Sequence, residues 1–158
     1  MLEAGTLRIM TALPESAGIE QHLLRILEAM DGFAPAHLVI DAISACRRMG
    51  SPQAAFDFLV RVLTTCKERG ITCFYTCQAA QGGHAAQISG IGIESLMDTI
   101  IGLRYRGGRE RLDRRLLVVK SRGSDHSMAY HGMVITGQGI ELSRPRTETG
   151  EDPRGGTP

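Results

Sequence analysis

The sequence predicts an α/β fold: a mostly parallel sheet flanked by helices, with an antiparallel C-terminal hairpin extension. Two observations lead to this prediction. In the first half of the chain, short apolar segments of strand character alternate with longer segments of helical periodicity. Such alternation is typical of βαβ units, whose parallel strands are joined by right-handed crossovers. In the second half, short strand-like segments follow one another with Gly-rich turns between them, which favours antiparallel pairing.

The first half is predicted to contain three strands and two helices. Ile and Leu recur at helical spacing over residues 19–30, with charged residues on the other face. The second helix is predicted to begin at Ser51, an N-cap residue followed by Pro52 in the first turn. Gly70 is predicted to end it. The three strands are predicted at residues 7–11, 37–41 and 72–76.

The second half is predicted to be antiparallel and to end in a tail. Residues 78–92 are small, polar and Gly-rich, which predicts a mobile loop, and Gly107 with Gly108 predicts a hairpin turn. Residues 143–158 have no apolar face, so we expect a folded region over residues 1–142 and a disordered tail over 143–158. The four strands are predicted at residues 99–105, 116–120, 133–136 and 140–142.

Composition excludes several classes of protein. The chain has 158 residues, 42% of them hydrophobic, and a formal net charge of +1. This suits one folded domain and excludes disorder throughout. No apolar run of roughly 18 residues predicts a membrane span, and the first residues lack a signal-peptide pattern. A near-neutral charge argues against a general nucleic-acid binder. The four cysteines have no metal-ligand spacing, which predicts buried free thiols in a reducing cytoplasm.

Two polar residues close predicted parallel strands. Asp41 ends an apolar strand, and ligands of open α/β sheets bind beyond the carboxyl ends of the strands. An acid at that position can hold magnesium in a nucleotide hydrolase, or it can simply cap the following turn. Gln78 closes the third strand. It can sense a γ-phosphate and order the loop that follows, or be an ordinary amide at a strand end.

The segment KSRGSDH leaves a later apolar strand with two cations, Lys120 and Arg122. Residues two apart on an extended segment point the same way, so this pair can grip one phosphate group. Ser124 and His126 can contact a base or ribose. The alternative is a solvated hairpin edge protected by charge.

The segment from position 104 to position 122 contains eight basic residues and two acidic ones, Glu110 and Asp113. Such a hairpin can be a nucleic-acid face, a subunit contact or a solvated surface. An aromatic content of 4% does not favour a stacking platform for single strands.

Taken in order, several segments resemble the KaiC family of RecA-like ATPases. They are PAHLVIDAISA, ERGITCFYT, GIGIESLMDTIIGLRY and LLVVKSRGSDHSMAYHGMVITGQGIEL. The resemblance covers roughly residues 5–142, and KSRGSDH resembles the family's Lys-x-Arg-Gly-Ser-x-His loop. It implies a RecA-like fold assembled as a hexameric ring, with ATP and Mg²⁺ held between subunits.

The resemblance also implies roles for single residues. Asp41 corresponds to the Walker B acid. Lys120 and Arg122 correspond to cations that reach the γ-phosphate of ATP in the adjacent subunit, and Ser124 and His126 line that nucleotide. The chain departs from the family in two places. Glu94 and Ser95 stand where the family's autophosphorylated domain has a Ser-Thr pair, and Ala42 follows the Walker B acid where Ser is common.

A P-loop needs the pattern GxxxxGK[ST], and neither lysine of the chain, Lys67 or Lys120, lies in one. We therefore expect residues 1–142 to be the C-terminal part of one ATPase domain, unable to bind ATP alone. Unpaired strand edges predict a homo-oligomer, either a dimer or a ring, or assembly with a full-length KaiC-like protein. The alternative is a non-catalytic interaction module that regulates such a protein. DNA binding through residues 78–92 and the basic hairpin is a third reading.

Overall fold

The computed structural model describes residues 5–78, 90–107 and 112–144. The chain divides into two compact units, Met1–Leu96 and Met97–Pro158. Each unit is described separately below.

The first unit contains one βαβ unit. Helix α2 joins strands β1 and β2, which pair in parallel with His37 opposite Thr72 and Ile40 opposite Tyr75. The α/β class and the parallel pairing predicted from the sequence are therefore confirmed. The elements are α1 (Ile19–Phe33), β1 (His37–Ile40), α2 (Pro52–Glu68) and β2 (Thr72–Tyr75), with short 3-10 helices at Pro14–Ser16, Ile43–Arg48 and Ile93–Leu96.

Helix α2 is the centre of the core. It begins as predicted, because the Ser51 side chain accepts a hydrogen bond from the backbone N–H of Ala54 at 3.1 Å. Beyond its end, Gly70 adopts a φ of 67°, which favours glycine. The Tyr75 hydroxyl donates to the carbonyl of Leu59 at 2.8 Å and links β2 to the helix. The buried face of α2 consists of Ala55, Phe58, Leu59, Val62, Leu63 and Cys66.

Helix α1 packs against α2 and buries Leu23 and Met30. It also buries His22, whose Nε2 lies 3.1 Å from the carbonyl oxygen of Pro14. This contact satisfies a polar ring that would otherwise be buried without a partner.

The second unit is an antiparallel sheet with strand order β3-β4-β5-β6. Strand β4 begins four residues before the predicted position, because Leu112 to Arg115 pair with the end of β3. A register shift between Ile100 and Ile101 marks a bulge. The strands are β3 (Thr99–Gly107), β4 (Leu112–Ser121), β5 (His131–Thr136) and β6 (Gly139–Leu142).

The predicted strand at residues 7–11 is wrong. These residues are in no strand, and Leu7, Ile9 and Met10 are exposed. The alternating pattern alone does not form a strand, since a strand needs a neighbour to satisfy its backbone groups. Residues 79–89, 108–111 and 145–158 lie outside the described residues, and with them most of the predicted loop, the Gly108 turn and most of the predicted tail. No described helix is long and apolar enough to cross a membrane.

Candidate functional site

Asp41 lies at the carboxyl end of β1, directly after Ile40, with an exposed side chain. Its Oδ1 accepts a hydrogen bond from the hydroxyl of Thr76, which follows β2. Two backbone hydrogen bonds hold the two chain segments together: Thr76 N–H donates to Ile40 at 3.1 Å, and Ile43 N–H donates to Thr76 at 2.8 Å. The neighbouring parallel strands therefore bring an acid and a hydroxyl to one edge of the sheet.

Sequence reasoning missed the contact of Thr76 with Asp41. The available signal was its position, because residues that follow neighbouring parallel strands meet at the same sheet edge. Gln78 lies two residues further along the chain, and its side chain is exposed. Mg²⁺ in proteins is usually held by one or two carboxylates, with waters completing the shell. Within the described ranges, no three His, Cys, Asp or Glu residues cluster to hold a metal. Asp41 is therefore the carboxylate at this edge that could contribute a ligand to such an ion.

The KSRGSDH segment belongs to the second unit and continues β4. Lys120 pairs with Ile100 on β3, and the N–H of Arg122 donates to the carbonyl of Asp98 at 2.9 Å. Asp98 lies two residues before Ile100. Lys120 and Arg122 therefore contact alternate residues of the segment that leads into β3. Arg122 Nη1 also lies 3.7 Å from Asp98 Oδ1. This ion pair is exposed and long, so it contributes little to stability.

Beyond Arg122 the segment turns back on itself. Gly123 has a φ of 73°, which allows the turn, and the hydroxyls of Ser121 and Ser124 lie 2.6 Å apart. His126 Nδ1 lies 3.4 Å from the carbonyl oxygen of Ser124, while its Nε2 is buried without a hydrogen bond. The turn therefore brings Ser124 and His126 together. The contact of Arg122 with Asp98 is a second contact that sequence reasoning missed.

Ser95 lies in the 3-10 helix Ile93–Leu96, and its exposed hydroxyl donates to the Gly92 carbonyl at 3.4 Å. Neighbouring Glu94 is partly buried near Cys77. Burial and, to a smaller extent, the Glu94 charge raise the pKa of the Cys77 thiol.

All four cysteines are free, and Cys46 and Cys66 are buried. Burial raises the pKa of Cys73 to about 12, and the adjacent Cys66 contributes to that shift. A thiol with so high a pKa stays neutral near pH 7, so it is a poor nucleophile and metal ligand. Cys46 and Cys66 are therefore part of the core, whereas Cys73 and Cys77 are half-buried.

A family model described as "ATPase: KaiC" matches residues 2–147. The circadian clock oscillator protein KaiC of Parathermosynechococcus lividus is 37% identical over 138 residues, which is 87% of this chain and 26% of the relative. The same-named protein of Prochlorococcus marinus subsp. pastoris is 35% identical over 142 residues, covering 90% and 28%. That of Synechococcus elongatus is 36% identical over 136 residues, covering 86% and 26%.

The parallel pair, its flanking helices and the family match define an α/β protein of the RecA-like class. The chain belongs to the KaiC family of ATPases. It spans about a quarter of the length of the relatives it matches.

Proposed function

We propose that this chain contributes the Walker B acid and a trans-acting Lys/Arg loop to an ATP site between subunits of a KaiC-like assembly. The observation that carries the proposal is the exposed Asp41 carboxylate, which the Thr76 hydroxyl orients at the carboxyl end of β1. This is the edge at which open α/β sheets bind ligands.

In this proposal, each residue compensates charge on the nucleotide. Asp41 holds Mg²⁺ through water, and the ion neutralises charge that develops on the transferred phosphoryl group. Lys120 and Arg122 of one subunit reach the γ-phosphate held by its neighbour. Ser124 and His126 line the same nucleotide, and Gln78 responds to the γ-phosphate.

The 158 residues contain no GxxxxGK[ST] pattern, so the phosphate cradle has to come from other polypeptide segments. The proposed partner is a second KaiC-like polypeptide that has a P-loop, within a dimer or a ring. Titration calorimetry of the isolated chain with Mg-ATP should therefore detect no tight binding. Tight binding with turnover would contradict this part of the proposal.

The trans loop is tested by mixing the chain with a full-length KaiC-like ATPase that lacks its own Lys/Arg loop. The wild-type chain should restore ATP hydrolysis, and the double substitution Lys120→Gln and Arg122→Gln should remove about 10³-fold of that activity, as expected for a trans arginine. A charge-matched control is the pair Arg106→Gln and Arg144→Gln, whose side chains are both exposed. Equal losses in the two double variants would refute a specific role for the loop.

A second candidate function is a non-catalytic interaction module, with a clock or signalling role through its partner. The observation that favours it is the apolar face of the β3–β6 sheet, where Leu103 is 60% and Ile140 is 66% exposed. A surface of this kind is typical of interaction sites. If this candidate is correct, Leu103→Asp should abolish binding of the full-length partner in a pull-down experiment. The substitutions K120Q and R122Q should leave that binding intact.

A further inference from the structure

A row of four residues crosses the polar face of the second unit's sheet, and we call it the arginine row: Arg104 on β3, Arg115 on β4, Gly132 on β5 and Ser143 just after β6. Arg104 pairs with Arg115, and Arg115 pairs with Gly132. The N–H of Ser143 donates to the Gly132 carbonyl at 2.9 Å, which extends the register by one residue.

Directly opposed residues of antiparallel strands point to the same face, with Cβ atoms about 5 Å apart. The two arginine side chains of the row therefore leave the sheet at neighbouring positions on one face. Gly132 has no side chain, and a Cβ there would lie 2.5 Å from the Ser143 hydroxyl oxygen. The Ser143 hydroxyl thus covers the position next to Arg115, on the same face of the sheet.

This arrangement is unfavourable without a negative partner. Like charges directly opposed across strands destabilise a sheet. The Nε–H of Arg115 is also buried and makes no hydrogen bond, which is unfavourable because a buried donor without a partner loses its hydration. Within the described residues, neither Arg104 nor Arg115 forms an ion pair.

The two carboxylates on this face lie in other rows. Asp113 is opposite Arg106, and Glu141 accepts a hydrogen bond from the Thr136 hydroxyl at 3.2 Å. The arginine row itself therefore combines two positive charges, an unsatisfied donor and a neighbouring hydroxyl.

We propose that the arginine row is a binding site for a phosphate-type oxyanion, either free phosphate or a phosphate monoester. Paired guanidinium groups match such an anion because each presents N–H donors in a planar fork. The Ser143 hydroxyl supplies one further donor. Lys120 lies five residues beyond Arg115 on β4, roughly 15 Å away at the rise of a strand. The row is therefore separate from the KSRGSDH segment, and the inference does not depend on the proposed function.

The test is titration calorimetry of the full chain with inorganic phosphate at constant ionic strength. The substitution Arg115→Gln should weaken binding at least about tenfold, as expected for losing charge-assisted hydrogen bonds. Arg104→Gln should weaken it similarly and serves if the first variant fails to fold. Arg106→Gln, which removes the same charge from the next row of the same face, should retain the wild-type affinity.

A further measurement identifies the source of the anion. Phosphoserine in place of inorganic phosphate distinguishes a monoester site from a free-phosphate site, and tighter binding of either one supports the proposal. Unchanged affinity in both Arg115→Gln and Arg104→Gln, or an equal loss in Arg106→Gln, would overturn it.

Discussion

In the first unit, α1 packs against α2 and α2 packs against β2, and every described residue that is buried belongs to this unit. In the second unit, no described residue is buried. The difference does not come from composition, because the second unit carries many large apolar side chains. Those more than half exposed include Ile101, Leu103, Tyr105, Leu112, Ile135, Ile140 and Leu142.

The strand register explains why these side chains share one face. Leu103 is opposite Leu116, and Ile135 is opposite Ile140, so apolar residues fall in line across the sheet. A sheet with one apolar face needs a second layer, and the described part of this unit has no helix that could form one. The first unit therefore has a core of its own, while the second unit has a surface that needs a partner.

The largest expected difference between the units is in their response to truncated apolar side chains. Leu59 on α2 is 0% exposed, so Leu59→Ala should lower the free energy of unfolding by about 2–5 kcal/mol, through lost burial and the cavity left behind. Chemical denaturation followed by circular dichroism at 222 nm measures this loss, because the described α-helices all belong to the first unit.

The matched control is Leu103→Ala in the second unit. Leu103 is 60% exposed, so its truncation should change the free energy of unfolding of this unit by less than about 0.5 kcal/mol, as followed by circular dichroism in the β-sheet region. A loss comparable to that of Leu59→Ala would mean that the apolar face of the sheet is covered in solution, and the contrast between the units would fail.

The second prediction concerns alkaline pH and is confined to the first unit, which contains all four cysteines. Burial raises the pKa of Cys73 from 9.0 to about 12. Below pH 9 the thiol is neutral in both the folded and the unfolded chain, so its contribution to stability is fully present. As the pH rises from 9 towards 12, the unfolded thiol ionises first and folding becomes less favourable.

Denaturation followed at 222 nm at a series of pH values should show that the free energy of unfolding falls as the pH rises. This fall should be smaller than the loss caused by Leu59→Ala. The variant Cys73→Ala should lose stability less steeply between pH 9 and 11 than the wild type. Identical slopes would show that Cys73 is not protected by burial in the folded chain.

The elements that the sequence predicted well are those whose cause is local. Helix α2 has an N-cap at Ser51 and a glycine at its end, and the apolar runs after His37 and Thr72 are strands. The segment at residues 7–11 has the same kind of local pattern but no partner strand, so the prediction failed there. Strand pairing requires two segments, so the periodicity of one segment does not show whether it has a partner strand.

The candidate site divides in the same way. The position of Asp41 at a strand end was predictable, because an acid ending an apolar strand is a local pattern. Its role stays a prediction. Its contact with Thr76 depends on the register of two strands 35 residues apart in sequence, which periodicity does not fix. The arginine row likewise depends on the pairing of β3 with β4 and of β4 with β5.

A third prediction concerns the contribution of the Ser51 N-cap to the stability of the first unit. Ser51→Ala removes the acceptor for the Ala54 N–H, so the free energy of unfolding should fall by about 1 kcal/mol. Ser51→Asp restores an acceptor at the same position and should recover most of that loss. If both variants were equally destabilised, the cap would not be the cause.

The smallest predicted effect concerns one surface ion pair in each unit, and the two pairs differ in length. In the first unit, Arg69 Nη1 lies 2.6 Å from Asp31 Oδ1 and joins the end of α2 to α1, whereas the second unit's Arg122–Asp98 pair is 3.7 Å apart. Exposed pairs contribute about 0.2–1 kcal/mol when their geometry is good. A double-mutant cycle on Arg69→Ala and Asp31→Ala should give a coupling energy of about 0.5 kcal/mol that decreases with added salt, because salt screens exposed charges. The same cycle on Arg122 and Asp98 should give a coupling close to zero. A stronger coupling in the second unit would mean that Asp98 holds Arg122 in place, which would count against the proposed role of Arg122 at the γ-phosphate.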